Sequence, residues 1–110
     1  VPPLVIDSIS IHRSRHKIKI RWTTSVDTLS SNFLVQHSTD GVHFEDVGNP
    51  VPTKHSFYTQ NNYFFEDKIS SLNKMYYRLE MTTERGMKKY STVLILEPEE
   101  KNIIWGNTQN

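Results

Sequence analysis

Residues 33–48, FLVQHSTDGVHFEDVG, predict a β-hairpin. Phe33 and Val35 lie on one side of a period-two alternation, which is typical of a strand with one buried face. A second short run, Phe44 to Val47, follows Asp40-Gly41, where glycine takes a positive φ without steric cost. We expect Asp40-Gly41 to set the hairpin register, because a slip of one residue would expose Phe33 and Val35.

The same alternation recurs in both directions from this hairpin. In residues 17–22, isoleucines and Trp22 alternate with lysines and an arginine, and in residues 76–82 Tyr77 and Leu79 alternate with polar neighbours. Further strands are predicted at 6–11, 63–66 and 90–96, whereas the breaker-rich segment 48–52, GNPVP, predicts a loop. No stretch keeps a helical period for three turns. Seven short strands separated by turns predict an all-β sandwich or small barrel.

Length and composition limit what the chain can be. Its 110 residues suit one domain, and the absence of cysteine excludes disulfides and cysteine-based metal sites. A net charge of +1 predicts no nucleic-acid partner, and no apolar run approaches the roughly 20 residues of a membrane span. We expect a sandwich over residues 1–97 and a linker or tail over 98–110, partly disordered. The Val-Pro-Pro start carries no signal peptide, so an excised piece of a larger parent is expected.

A family resemblance covers most of the chain. Segment 33–48 resembles a repeated pattern of fibronectin type III-like modules in secreted or surface Bacteroidetes proteins. The segments 63–67 (YFFED) and 76–79 (YYRL), and the turn at Arg85-Gly86, are similar to later parts of that pattern. The resemblance implies a seven-stranded immunoglobulin-like, fibronectin type III-like sandwich. It also implies an extracellular or cell-surface location.

The resemblance further implies scaffold roles for its best-matched residues. Trp22 and Tyr77 are expected to face each other between the sheets. Tyr77 matches a tyrosine corner, with Leu72 upstream, so its hydroxyl is expected to bond a backbone group near the bend. The full set of expected scaffold residues is Trp22, Phe33, Val35, Asp40, Gly41, Leu72, Tyr77 and Leu79.

Five aromatic rings within nine positions are the main candidate for a ligand site. They are Phe57, Tyr58, Tyr63, Phe64 and Phe65. Alternation predicts that Phe64, or else Tyr63 with Phe65, faces outward. Exposed flat rings suit sugar stacking, whereas the structural alternative, which we favour, packs them under the loop from 48 to 60.

Charged and polar side chains give weaker signals. The basic residues between positions 13 and 21 predict a solvated strand face that opposes edge-to-edge aggregation, with a weak anionic-glycan contact as an open alternative. Histidines flank two turns, as the pairs His12 with His16 and His37 with His43, and Arg13 and Arg15 lie within the first turn, so no metal site is expected. Catalytic signatures are lacking, and the neighbours Glu66 and Asp67 should point to opposite faces. We therefore predict no enzyme and no cofactor.

These observations favour a non-catalytic accessory, spacer or interaction module of a larger secreted or cell-surface bacterial protein. Its expected partners are neighbouring domains of that parent, with a glycan as the alternative partner, and neither nucleic acid nor membrane insertion is expected. The alternative is a carbohydrate-binding module that uses the rings between residues 57 and 65. A protein-interaction or receptor-type domain is a third class, because this fold hosts many functions.

Overall fold

All regular structure in the described part of the chain is β-strand. A computed structural model describes residues 6–14, 16–24, 30–54, 60–68, 72–83 and 85–98. The strands are β1 (Ile6–Ser14), β2 (Lys17–Thr24), β3 (Ser30–Ser38), β4 (Glu45–Pro52), β5 (Asn61–Lys68), β6 (Met75–Thr83), β7 (Lys88–Tyr90) and β8 (Leu94–Leu96). The predicted tail beyond position 98 lies outside the described residues.

Two antiparallel sheets form the sandwich that the sequence predicts. The first sheet has the order β1-β2-β5, with β2 at its centre. The second has the order β4-β3-β6, and both β7 and β8 pair with the free edge of β6. Apolar side chains from both sheets close the core between them.

The last predicted strand, 90–96, is divided in two. β7 pairs with Glu80–Thr82 and β8 with Met75–Tyr77, so they lie one after the other along β6. Between them the Leu79 amide donates to Ser91 Oγ at 2.8 Å, while the Ser91 amide donates to the Leu79 carbonyl at 2.9 Å. A side-chain oxygen thus replaces a backbone acceptor, which interrupts the ladder and gives eight strands instead of seven.

The loop predicted over residues 48–52 is wrong, because this segment belongs to β4. Val47 pairs with Val35 and Val51 with Phe33, so four residues along β4 advance only two along β3. Gly48 takes a φ of +68° in this bulge. Prolines are tolerated here because β4 is an edge strand. On such a strand the position of the missing N–H can face solvent, so that no carbonyl of a neighbouring strand loses its hydrogen-bond donor.

The Asp40-Gly41 turn joins β3 and β4 as predicted. Asp40 Oδ1 accepts the backbone N–H groups of Val42 and His43, each at 2.8 Å, and Ser38 Oγ accepts that of Gly41 at 2.9 Å. Gly41 takes a φ of +78°. The His43 side chain, followed by the backbone N–H groups, holds the pKa of Asp40 well below its usual range. Side-chain oxygens therefore organise this turn.

Trp22 and Tyr77 are both buried, at 1% and 0% exposure, as predicted. The ring that contacts Trp22 from the other sheet is Phe33, edge-on at a centroid distance of 5.5 Å. Tyr63 stacks on Trp22 within the first sheet at 5.6 Å. The expectation that Trp22 and Tyr77 face each other is therefore wrong. The ring beside Tyr77 is that of His37, at a centroid distance of 5.8 Å. Val35 and Leu79 are buried beside them, and Leu72 is half-buried.

Candidate functional site

The rings predicted as ligand contacts separate into different environments. Phe57 and Tyr58 lie outside the described residues. Of the other three, Tyr63 is buried, Phe65 is half-buried, and Phe64 is exposed at 48%. The structure therefore selects the first of the two predicted alternatives, in which Phe64 faces outward.

Tyr63 and Phe65 serve the core. The Tyr63 hydroxyl accepts the backbone N–H of Lys54 at 2.9 Å, and its ring lies 4.8 Å from that of Phe33. The Phe65 ring packs over Gly48 so closely that a Cβ there would lie 2.7 Å from Phe65 Cζ. Both rings thus pack beneath the β4 segment, as in the structural alternative. They are not available to a ligand.

Phe64 belongs to a flat surface on the outside of the first sheet. In β2 the even-numbered residues from Ile18 to Thr24 are buried, so the odd-numbered ones face outward. Cross-strand pairing joins Lys17 to Lys68, Lys19 to Glu66 and Arg21 to Phe64. On the β1 side, His12 lies opposite Lys19. We call this surface the cationic face, formed by His12, Lys17, Lys19, Arg21, Phe64, Glu66 and Lys68.

Charge on the cationic face is strongly unbalanced. Four lysine and arginine side chains surround one carboxylate, a net charge of +3, whereas the whole chain carries only +1. Glu66 is shared between Lys17 Nζ at 4.0 Å and Lys19 Nζ at 3.9 Å. Arg21 Cζ lies 5.6 Å from the Phe64 ring centroid. The rest of the molecule is therefore net negative.

The basic stretch seen in the sequence only partly coincides with this surface. Arg13 pairs with Ile18 and turns away, and its Nη2 donates to the carbonyls of Asn73 at 3.0 Å and Glu97 at 3.4 Å. Arg15 lies outside the described residues. Arg13 therefore ties the first sheet to the end of the second one instead of adding charge to the cationic face.

The outer face of the second sheet is built differently. The guanidinium of Arg78 lies between the rings of Phe44 and Tyr90, with Cζ at 4.1 Å from each centroid. Arg78 Nε donates to Gln36 Oε1 at 2.8 Å. The geometry allows cation–π attraction on both sides of the guanidinium plane, which fixes the side chain.

Glu80 is the centre of this second face and is buried although it points outward. It accepts hydrogen bonds from Lys88 Nζ at 2.8 Å, the Tyr90 hydroxyl at 3.1 Å and Gln36 Nε2 at 3.3 Å. The bond to Glu80 raises the pKa of Lys88 above its usual value. Gln36 also donates to Asp46 Oδ1 at 2.9 Å. Acidic and basic groups thus balance within the protein itself.

A buried acid joins the two sheets at one end of the core. The Tyr77 hydroxyl donates to Asp67 Oδ2 at 2.5 Å, and His37 Nδ1 lies 3.2 Å from the same oxygen. Glu45 Oε1 lies 3.6 Å from His37 Nε2 on the outer side. Burial, and then the bond to Asp67, raises the pKa of Tyr77 well above its ordinary value.

This cluster corrects the tyrosine-corner expectation. The acceptor of the Tyr77 hydroxyl is a carboxylate on β5 and not a backbone group near the bend. Sequence reasoning missed this because it considered Asp67 only as the neighbour of Glu66. A signal was present: Asp67 shares its strand face with Tyr63 and Phe65, and an acid on a core-facing position needs a partner.

No protein-family model matches the chain, and no curated protein matches it either. Within the ranges that the structure describes, no group of three or more His, Cys, Asp or Glu side chains is placed to hold a metal ion. The same ranges contain no helix with the length and apolar character needed to cross a bilayer. The cationic face is the described surface best suited to a ligand, because its cations and its ring face solvent.

Proposed function

We propose that the chain is a non-catalytic accessory module that spaces or presents neighbouring domains of a larger secreted or cell-surface bacterial protein. One observation carries the proposal: the buried acids are engaged by donors of the protein itself. Asp67 is bonded by Tyr77, and Glu80 by Lys88, Tyr90 and Gln36. Carboxylates held in this way stabilise a scaffold, whereas a catalytic acid or base needs a site for its substrate.

The strand order supports assignment to the fibronectin type III-like type. In the constant-type immunoglobulin sandwich the fourth strand lies beside the fifth. Here β4 pairs instead with β3, in the other sheet. This exchange of the fourth strand, together with the sequence resemblance over residues 33–48 and 76–79, favours a fibronectin type III-like module. An extracellular or surface location belongs to the same proposal.

The proposal is tested with residues 1–110 as a purified protein. An autonomous module should unfold in one cooperative transition and should show no turnover in a broad hydrolase screen. It should also be retained by the neighbouring domains of its parent in a pull-down experiment. Turnover that disappears in a His37→Ala variant would contradict a non-catalytic role, since the half-buried His37 lies beside the buried Asp67 and, among the described residues, this pair is the best placed for acid–base chemistry.

Carbohydrate binding is the second candidate, and Phe64 favours it. Its ring is exposed on a flat sheet surface beside Arg21, which presents both an apolar platform and hydrogen-bond donors. A glycan array with the wild-type chain and a Phe64→Ala variant tests this function. A reproducible hit that the variant loses would establish it, and an array without hits would refute it.

A further inference from the structure

We infer that the cationic face binds an anionic polysaccharide, a linear glycan that carries carboxylate or sulfate groups. This inference rests on the carbohydrate-binding candidate and assigns it a ligand class. It is carried by the unbalanced charge of this surface, by the position of its cations on a central strand, and by the exposed ring among them.

The position of the cations argues against a purely protective role. Lysines on edge strands oppose aggregation between sheets. Lys17, Lys19 and Arg21, however, lie on β2, the central strand of its sheet, whose edges are already covered by β1 and β5. Protection of an exposed edge therefore does not explain them.

The like charges are also placed unfavourably for stability alone. Lys17 lies directly opposite Lys68 across the β2–β5 ladder, and like charges in such pairs destabilise a sheet. Among the residues of the cationic face, Glu66 is the one acid, and it lies 4.0 Å from Lys17 Nζ and 3.9 Å from Lys19 Nζ, beyond hydrogen-bond contact. A polyanion bound across this surface would relieve the repulsion.

The arrangement fits a chain of anionic groups better than a single anion. Residues on one face of a strand are about 6.6 Å apart, and neighbouring strands about 4.8 Å apart. The backbone positions of Lys17, Lys19 and Arg21 therefore form a row roughly 13 Å long, along which the Lys17 and Lys19 side chains both reach toward Glu66 and Arg21 lies beside Phe64. Regularly spaced negative charges along a linear polymer complement such a row.

Phe64 adds the contact that favours a sugar polymer. Its ring lies at the Arg21 end of the row and is 48% exposed, so a pyranose face can stack on the part of the ring that Arg21 does not cover, while Arg21 contacts an acidic substituent. The Arg21 guanidinium donates to no acceptor within the described ranges, which leaves its planar fork available to carboxylate or sulfate.

A nucleic acid fits these features less well. Single-stranded nucleic acid is bound by several rings on which successive bases stack, and the cationic face has one. The charge of +3 on this surface is also small beside that of a duplex-binding protein that contacts roughly six to ten phosphates. A glycan with fewer charges per unit length matches it more closely.

Paired probes test the inference directly. Binding of the 110-residue chain is measured with dextran sulfate against dextran, with polygalacturonate against its methyl ester, and with a single-stranded oligo-dT. We expect binding to both anionic polymers, at least about tenfold tighter than to their neutral counterparts, and a decrease in affinity with added salt. Oligo-dT should bind more weakly than dextran sulfate.

Matched variants then locate the site. Arg21→Gln should weaken binding of dextran sulfate about fivefold, whereas Arg85→Gln, the same change in the exposed turn before β7, should leave it unchanged. Phe64→Ala should weaken it about tenfold, with Ile95→Ala, an exposed apolar residue of the second sheet, as its control. Glu66→Gln should strengthen it about threefold, an effect that misfolding cannot produce.

The outcomes separate the two proposals. If dextran and the methyl ester bind as tightly as the anionic polymers, through Phe64, carbohydrate binding stands and the anionic ligand class is wrong. If no polysaccharide binds, both are wrong. If oligo-dT binds more tightly than dextran sulfate, or if Arg21→Gln and Glu66→Gln leave the affinities unchanged, the inference is overturned.

Discussion

Replacing Tyr77 by phenylalanine removes the hydroxyl group that joins the two sheets while it keeps the buried ring. This hydroxyl donates to the carboxylate of Asp67 at 2.5 Å, in a side chain with no exposed surface. A hydrogen bond to a charged group contributes about 1.5–3 kcal/mol net. We therefore expect Tyr77→Phe to lower the free energy of unfolding by about 2 kcal/mol, out of the roughly 5–15 kcal/mol usual for a domain.

The assay is urea unfolding of the wild type, Tyr77→Phe, Asp67→Asn and the double variant. Because the two side chains are in direct contact, the double-mutant cycle should give a coupling free energy of about 1–2 kcal/mol. Thermal unfolding should show a decrease of about 10 °C for Tyr77→Phe. Tyr76→Phe is the matched control, because the neighbouring half-buried tyrosine lies on the opposite face of the same strand.

Two results would refute this reasoning. One is a loss below about 0.5 kcal/mol for Tyr77→Phe, and the other is a coupling free energy near zero. The pH dependence gives an independent check. Burial and the bond to Asp67 raise the pKa of Tyr77 in the folded state, so the fold holds this proton more tightly than the unfolded chain does. Stability should therefore decline above about pH 10, where unfolded tyrosine ionises, and Tyr77→Phe should decline less steeply.

Three further predictions concern the β4 bulge, the turns and the cationic face. Gly48→Ala should lower the free energy of unfolding by about 2 kcal/mol, and Gly86→Ala should lower it by about 1 kcal/mol. Both glycines have a positive φ, but of the two only Gly48 would bring a Cβ against the Phe65 ring. Equal losses of the two variants in thermal unfolding would contradict this reasoning. Asp40, whose pKa is lowered in the fold, stabilises the protein above about pH 4 and less as the pH falls below that. In the Asp40→Asn variant, Tm should accordingly change less than in the wild type as the pH is lowered below about 4. If both proteins lose Tm equally, the Asp40 carboxylate does not stabilise the turn. Lys68→Glu should raise stability by about 0.5 kcal/mol in urea unfolding and weaken polyanion binding; a loss of stability would show that the like-charge pair is harmless.

The central strands could be predicted because their burial follows one rule. Burial alternates strictly in β2, and in β3 and β6 the apolar side chains alternate in the same way although Gln36 and Glu80 are also buried, so alternation identified Trp22, Phe33 and Tyr77 as core residues. The edges of the second sheet could not be predicted in this way. In β4 a bulge accommodates prolines and a positive φ, and at Ser91 a side-chain hydroxyl interrupts the pairing with β6. Local propensity rules describe central strands better than edges, where one side of the ladder is unconstrained.

The candidate site was predictable only as far as it lies on one strand. Alternation gave the outward direction of the β2 cations, but for the rings it left two alternatives, Phe64 or Tyr63 with Phe65, and the structure selects Phe64. It could not bring Phe64 and Lys68 beside Arg21 and Lys17, because those pairings join positions more than 40 residues apart. It also counted Arg13 with the basic stretch, although β1 turns that side chain toward carbonyl acceptors at the end of the second sheet. Surfaces formed across a ladder depend on register, which the sequence specifies only through the whole fold.

The two outer faces differ in how far their charges are balanced within the protein, and this difference bears on function. On the second sheet Glu80 is bonded by Lys88 and Tyr90, so that surface is ordered without a ligand. On the first sheet Lys17 and Lys19 share the Glu66 carboxylate in long ion pairs of 3.9–4.0 Å, while Arg21 lies over Phe64 and Lys68 lies opposite Lys17. A chain selected for stability alone would place an acid opposite Lys17, since opposite charges across a ladder stabilise it and like charges do not. The lysine found there is a departure from local consistency of the kind expected at binding sites. The cationic face is therefore where a ligand would compensate what the fold leaves unbalanced.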